Sequence, residues 1–87
     1  MVSQVTKLIN DQGFHMRPAS LFANEMQKFK SDVFILYNGN EINGKSLMNI
    51  LALGIKNGST VEIKCSGEDE NEALKEAIRL IESGLGE

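Results

Sequence analysis

From Thr60 to Ser66 the chain alternates Val61, Ile63 and Cys65 with Glu62, Lys64 and Ser66. Successive side chains on a strand point to opposite faces, so this segment is a strand with one apolar and one solvated face. A sheet built from such strands needs helices over one face only. A doubly wound parallel sheet, covered on both faces, would carry near-continuous apolar strands instead. The expected class is therefore α+β.

The other segments fit around that strand. Val2 to Ile9 mixes β-branched and polar residues and is expected to be a strand, ended by the turn formers Asn10-Asp11-Gln12-Gly13. From Met16 to about Lys28, Ala19, Phe22, Ala23 and Met26 recur at helical spacing. Pro18 is tolerated there because the first helical turn has no intrahelical N–H bond to lose. Val33 to Tyr37 reads as a second strand, and Asn38-Gly39, both of which accept positive φ, turn it into a short return strand, Glu41-Ile42-Asn43. Leu47 to Leu53 is a short apolar helix with Ser46 placed to cap its start and Gly54 near its end. A last helix is expected from about Glu70 to Ser83, with acidic residues in its first turn and Gly84 as its stop. The order is βαββαβα, without repeat or linker, over residues 1–87 as a single domain.

Composition narrows the function. At 87 residues the chain holds one modest core, with no room for a second active-site domain. Its only cysteine, Cys65, has no cysteine partner, and the single histidine cannot complete a zinc site of the usual kinds; no metal or cofactor is expected. Cys65 is expected in the core. Nine basic against twelve acidic residues, four phenylalanines, one tyrosine and no basic run give no support for nucleic-acid binding. No apolar run is long enough for a bilayer, and Met1 to Lys7 lack the pattern of a signal peptide, so a cytoplasmic protein is expected.

The lone histidine lies in Gly13-Phe14-His15-Met16-Arg17-Pro18-Ala19-Ser20, at the expected start of a helix. A helix N-terminus offers unpaired N–H groups and partial positive charge, so it attracts an anion and disfavours an imidazolium. His15 is thus expected to act as a neutral nucleophile. With a phosphoryl group on its ring, the same amides and the fork of Arg17 would hold the phosphate oxygens. Ser46 as a helix cap is also a position where phosphate would be welcome without unfolding. Leu47, Met48 and Leu51 could be core, but so short a helix cannot bury every apolar side chain, and methionine suits adaptable surfaces.

A second motif points elsewhere. Gly39-Asn40-Glu41-Ile42-Asn43-Gly44-Lys45-Ser46 satisfies the G-x-x-x-x-G-K-[ST] pattern of a nucleotide-binding loop. Its context argues against that reading: Asn38-Gly39 suits a hairpin, Glu41 would set a negative charge near phosphates, and no partner strand with a metal-binding aspartate is recognisable.

The stretch Gly13 to Ala19 resembles the active-site motif of HPr, the histidine-containing phosphocarrier family of the bacterial phosphoenolpyruvate:sugar phosphotransferase system. Asn43 to Met48, Leu53-Gly54-Ile55 and the acidic opening of the last helix are similar to the same family, so the resemblance spans the chain. It implies an open-faced β-sandwich, with four antiparallel strands and three helices on one face. It further implies that His15 accepts phosphate on Nδ1 from Enzyme I and passes it to sugar-specific IIA proteins, while Arg17 steadies the phosphohistidine. The protein would be a monomeric carrier rather than an enzyme with turnover of its own. Ser46 matches the serine modified by HPr kinase/phosphorylase in many Gram-positive members, which links it to a catabolite-control transcription regulator. Ser20 joins Leu47, Met48 and Leu51 as partner-binding positions. The chain departs from the family at Phe14, usually aliphatic, and at Met16, usually alanine.

Overall fold

The computed structural model describes residues 1–86. Its elements follow the expected order: β1 (Val2–Lys7), α1 (Met16–Met26), β2 (Asp32–Tyr37), β3 (Asn40–Asn43), α2 (Leu47–Leu53), β4 (Thr60–Ser66) and α3 (Glu70–Glu82). The four strands form one antiparallel sheet in the order β1-β4-β2-β3. The alternation of β4 is realised: Val61, Ile63 and Cys65 are buried, while Glu62, Lys64 and Ser66 are partly exposed. Register places Ile63 beside Ile35, and Ile35 beside Ile42, so the apolar rows of neighbouring strands share one face.

The helices cover that face. Ala19, Phe22, Ala23 and Met26 of α1, and Ala73, Ala77, Ile78, Leu80 and Ile81 of α3, complete the core, whereas α2 buries only Ile50 fully. Each fully buried leucine, isoleucine or phenylalanine contributes roughly 1.5–3 kcal/mol by leaving water. On the opposite face Lys64 pairs with Glu41 at 2.8 Å and lies over the ring of Phe34.

Turn chemistry also matches expectation. Asn38 and Gly39 both adopt positive φ, +51° and +80°, and Gly54 closes α2 at φ +61°. Two boundaries differ from the sequence expectation by two residues, while β2 and β3 begin, and α3 ends, one residue earlier than expected. β1 stops at Lys7 rather than Ile9, because its partner begins at Thr60 and Leu8 instead bonds the loop residue Ser59. α1 ends at Met26 rather than near Lys28: Lys28 and Phe29 donate to Glu25 O and Met26 O, the tighter bonds of a fraying last turn.

Candidate functional site

The site begins at a residue that cannot be other than glycine. Gly13 has φ +63°, and a Cβ there would lie 2.5 Å from Ile55 O. Phe14 N–H donates to the same Ile55 O at 2.9 Å, and the Phe14 ring is 2 % exposed, edge-on to Phe22 with centroids 5.4 Å apart. Phe14 thus anchors the loop in the core. His15, next in the chain, is the N-cap of α1, in extended conformation (φ −89°, ψ −169°), and its side chain is exposed.

The first helical bond runs from Ala19 N–H to His15 O at 2.9 Å. Pro18 has no N–H, so the backbone donors at this helix start are those of Met16 and Arg17. No acidic residue lies in the first turn to compete with an anion. The exposed guanidinium of Arg17 adds a full positive charge two residues from the histidine. Arg17 also lines a shallow groove of about 570 Å³ with Met16, Ser20, Leu21, Asn24, Leu85 and Gly86. Met16 is 59 % exposed, which gives this rim a polarisable apolar element.

The predicted docking residues divide between two places. Ser20 joins the groove beside Arg17, whereas Leu47, Met48 and Leu51 belong to α2 and do not line it. Met48 is 72 % exposed; Leu47 and Leu51 are half-buried and pack against the core. Ser46 caps α2 as expected, its Oγ accepting from Asn49 N–H at 3.3 Å. The two helices are tied through Gln27 Nε2, which donates to Lys45 O at 2.8 Å.

The loop-like motif Gly39 to Ser46 forms no phosphate cradle. Asn40–Asn43 is strand β3, paired residue by residue with β2, and Lys45 Nζ donates to Phe29 O at 2.7 Å. Gly44 N–H is likewise engaged by Val33 O at 2.7 Å. No group of three or more metal-ligating side chains occurs among the described residues.

Sequence reasoning passed over Asn10, treating it as one turn former among four. Its side chain is buried and bonds Gly13 O at 2.6 Å, and Asn57 Nδ2 in turn donates to Asn10 O at 2.8 Å. The available signal was an asparagine three residues before a glycine, a spacing at which its amide reaches local backbone.

Residues 2–83 match the family model described as the PTS HPr component phosphorylation site. The phosphocarrier protein HPr of Buchnera aphidicola is 40 % identical over 75 residues, covering 86 % of this chain and 88 % of its own. A crystal structure of HPr from Thermoanaerobacter tengcongensis superposes with a TM-score of 0.96 at 38 % identity, covering 100 % of this chain and 98 % of that one. The catabolite-repression protein Crh of Bacillus subtilis, solved as a domain-swapped dimer, gives 0.78 at 36 % identity, with 97 % of each chain covered. A family match over residues 2–83, with relatives and solved structures alike over most or all of the chain, places it in the HPr family of phosphotransferase-system phosphocarriers.

Proposed function

We propose that His15 accepts a phosphoenolpyruvate-derived phosphoryl group from Enzyme I and passes it to sugar-specific IIA proteins. The observation that carries this is the helix start itself: an exposed histidine, two backbone donors, an arginine and no acidic residue in the first turn. The Nδ1 lone pair attacks phosphorus in line as the bond to the donor breaks, and the new N–P bond breaks when an acceptor nucleophile arrives. Between these steps the amides of Met16 and Arg17 and the Arg17 guanidinium hold the phosphate oxygens. Such transfer needs alignment and charge stabilisation, and little else from the protein.

Exposure of the ring supports sequential use by donor and acceptor, each docking over the groove rim of Met16, Arg17 and Ser20 and over Leu47, Met48 and Leu51 of α2. The carrier works in the cytoplasm as a single domain and as a monomer, without metal or cofactor. Sedimentation at micromolar concentration tests the monomer against the swapped dimer of Crh. The decisive experiment is incubation with Enzyme I and phosphoenolpyruvate, followed by mapping of acid-labile phosphate. Phosphate on the parent at His15, and none on His15→Ala, is the expected result; phosphate that persists in His15→Ala overturns it.

A second role is supported by the Ser46 cap. Phosphate on Ser46 by HPr kinase/phosphorylase would sit at a helix N-terminus, where its charge is stabilised locally, and would act through its field on partners, including a catabolite-control transcription regulator. Ser46→Asp is expected to keep parental circular dichroism and melting while phosphorylation by Enzyme I slows. Parental transfer rates in both the mimic and the Ser46-phosphorylated protein would reduce Ser46 to a cap.

A further inference from the structure

We infer that Asn10 is a positioning residue for transfer at His15, its side-chain amide locking the Gly13–Phe14 peptide that aims the histidine; this rests on His15 being the acceptor. Asn10 is 4 % exposed, and its Nδ2 donates to Gly13 O at 2.6 Å. The other end of the same peptide is also held, since Phe14 N–H donates to Ile55 O at 2.9 Å. A peptide unit is planar, so fixing both its C=O and its N–H removes its freedom to rotate. Downstream, the Phe14 ring is locked against Phe22 and His15 O accepts the first helical bond. The backbone of His15 is thereby clamped on both sides.

Asn10 is itself secured from the facing loop. Asn57 Nδ2 donates to Asn10 O at 2.8 Å and to Ile9 O at 3.3 Å, and Gly13 N–H donates to Asn10 O at 3.2 Å. The arrangement is not explained by stability alone. Asn10 Oδ1 is buried and finds no hydrogen-bond partner among the described residues, an unfavourable state that an apolar side chain would avoid. What the amide supplies, and alanine would not, is the donor to Gly13 O.

This distinguishes positioning from packing. Asn10→Ala removes the unsatisfied acceptor but also leaves Gly13 O without its donor, and the peptide before Phe14 is released. Asn10→Asp keeps the shape and turns the donor into an acceptor facing Gly13 O. Steady-state phosphorylation by Enzyme I and phosphoenolpyruvate is measured for the parent and both variants, with melting curves alongside. For Asn10→Ala we expect kcat to fall about tenfold with KM unchanged within about twofold, because misorientation penalises the chemical step and leaves docking intact. A larger fall is expected for Asn10→Asp. Amide exchange at Phe14 and His15, read by NMR without phosphate, should accelerate in Asn10→Ala while β4 keeps parental protection. Parental kcat in a folded Asn10→Ala protein overturns the positioning role alone, whereas a parent that takes no phosphate at His15 overturns the acceptor reading and this role with it. Should neither variant fold, the parent decides: slow exchange of the Asn10 side-chain amide protons supports the clamp, and exchange as fast as that of exposed Asn40 overturns it.

Discussion

Asp69 grips Ser31 across 38 residues of sequence, its Oδ1 accepting from Ser31 N–H at 2.9 Å and from the Ser31 hydroxyl at 2.5 Å. Asp69 Oδ2 takes Lys30 N–H at 3.0 Å, so the carboxylate at the head of α3 pins the loop that leads into β2. The Ser31 hydroxyl first, and then the backbone N–H of Lys30, hold the Asp69 carboxyl down from its ordinary 3.8 to about 2. A group depressed in the folded state binds its proton more readily when unfolded, so its contribution is whole above about pH 4 and is lost as the pH falls toward 2. Urea melts are expected to show stability declining over that window, with a shallower decline in Asp69→Asn. Ser31→Ala should carry the Asp69 titration upward in carboxyl NMR. Equal slopes for parent and Asp69→Asn would assign the acid sensitivity to other depressed carboxyls, Glu70 beside the N-terminus and Glu76 beside Arg79.

Phe14 joins site to core, and its replacement should register in both. Phe14→Ala empties a fully buried aromatic position and is expected to lower stability by about 3–5 kcal/mol, a large share of what a domain this small possesses. Phe14→Leu keeps most of the volume and should cost about 1–2 kcal/mol while preserving phosphorylation of His15. Thermal melts and an Enzyme I assay on the leucine variant check the pair. Loss of phosphorylation in a stably folded Phe14→Leu protein would mean that the ring does more than anchor the loop.

Arg17 is exposed, so Arg17→Ala should leave melting at the parental temperature. Loss of a charge-assisted contact of roughly 1.5–3 kcal/mol slows transfer about tenfold to a hundredfold. Arg17→Lys restores charge without the planar fork and should recover part of the rate. Stopped-flow transfer from phosphorylated Enzyme I gives the comparison, and a parental rate in Arg17→Ala would leave the work to the Met16 and Arg17 amides.

The nucleotide-loop pattern at Gly39 to Ser46 should bind nothing, because its backbone is committed to β3 and its lysine to Phe29 O. Calorimetric titration with Mg-ATP is expected to give no saturable heat. Micromolar binding abolished by Lys45→Ala would contradict the strand pairing seen here. Lys45→Ala should instead loosen the contact of Lys45 with the Phe29 carbonyl and lower the melting temperature modestly.

Local patterns carried much of this protein on their own. The period of two in Val61 to Cys65, the helical recurrence of Ala19, Phe22, Ala23 and Met26, the Asn38-Gly39 turn and the Ser46 cap depend on residues within about four positions of one another, where propensity and side-chain geometry act directly. The helix start that brings His15 and Arg17 together was legible for the same reason, since they are neighbours in sequence. Tertiary structure alone decided what depends on partners brought from afar. β1 ends at Lys7 because β4 begins at Thr60, and the motif at Lys45 is a strand and a turn because β2 pairs with it. The clamp on the peptide before Phe14 needed Asn57 and Ile55, and the grip on Ser31 needed Asp69. A hydrogen bond across some forty residues leaves no periodicity in the sequence, because its two ends share only their position in the folded chain.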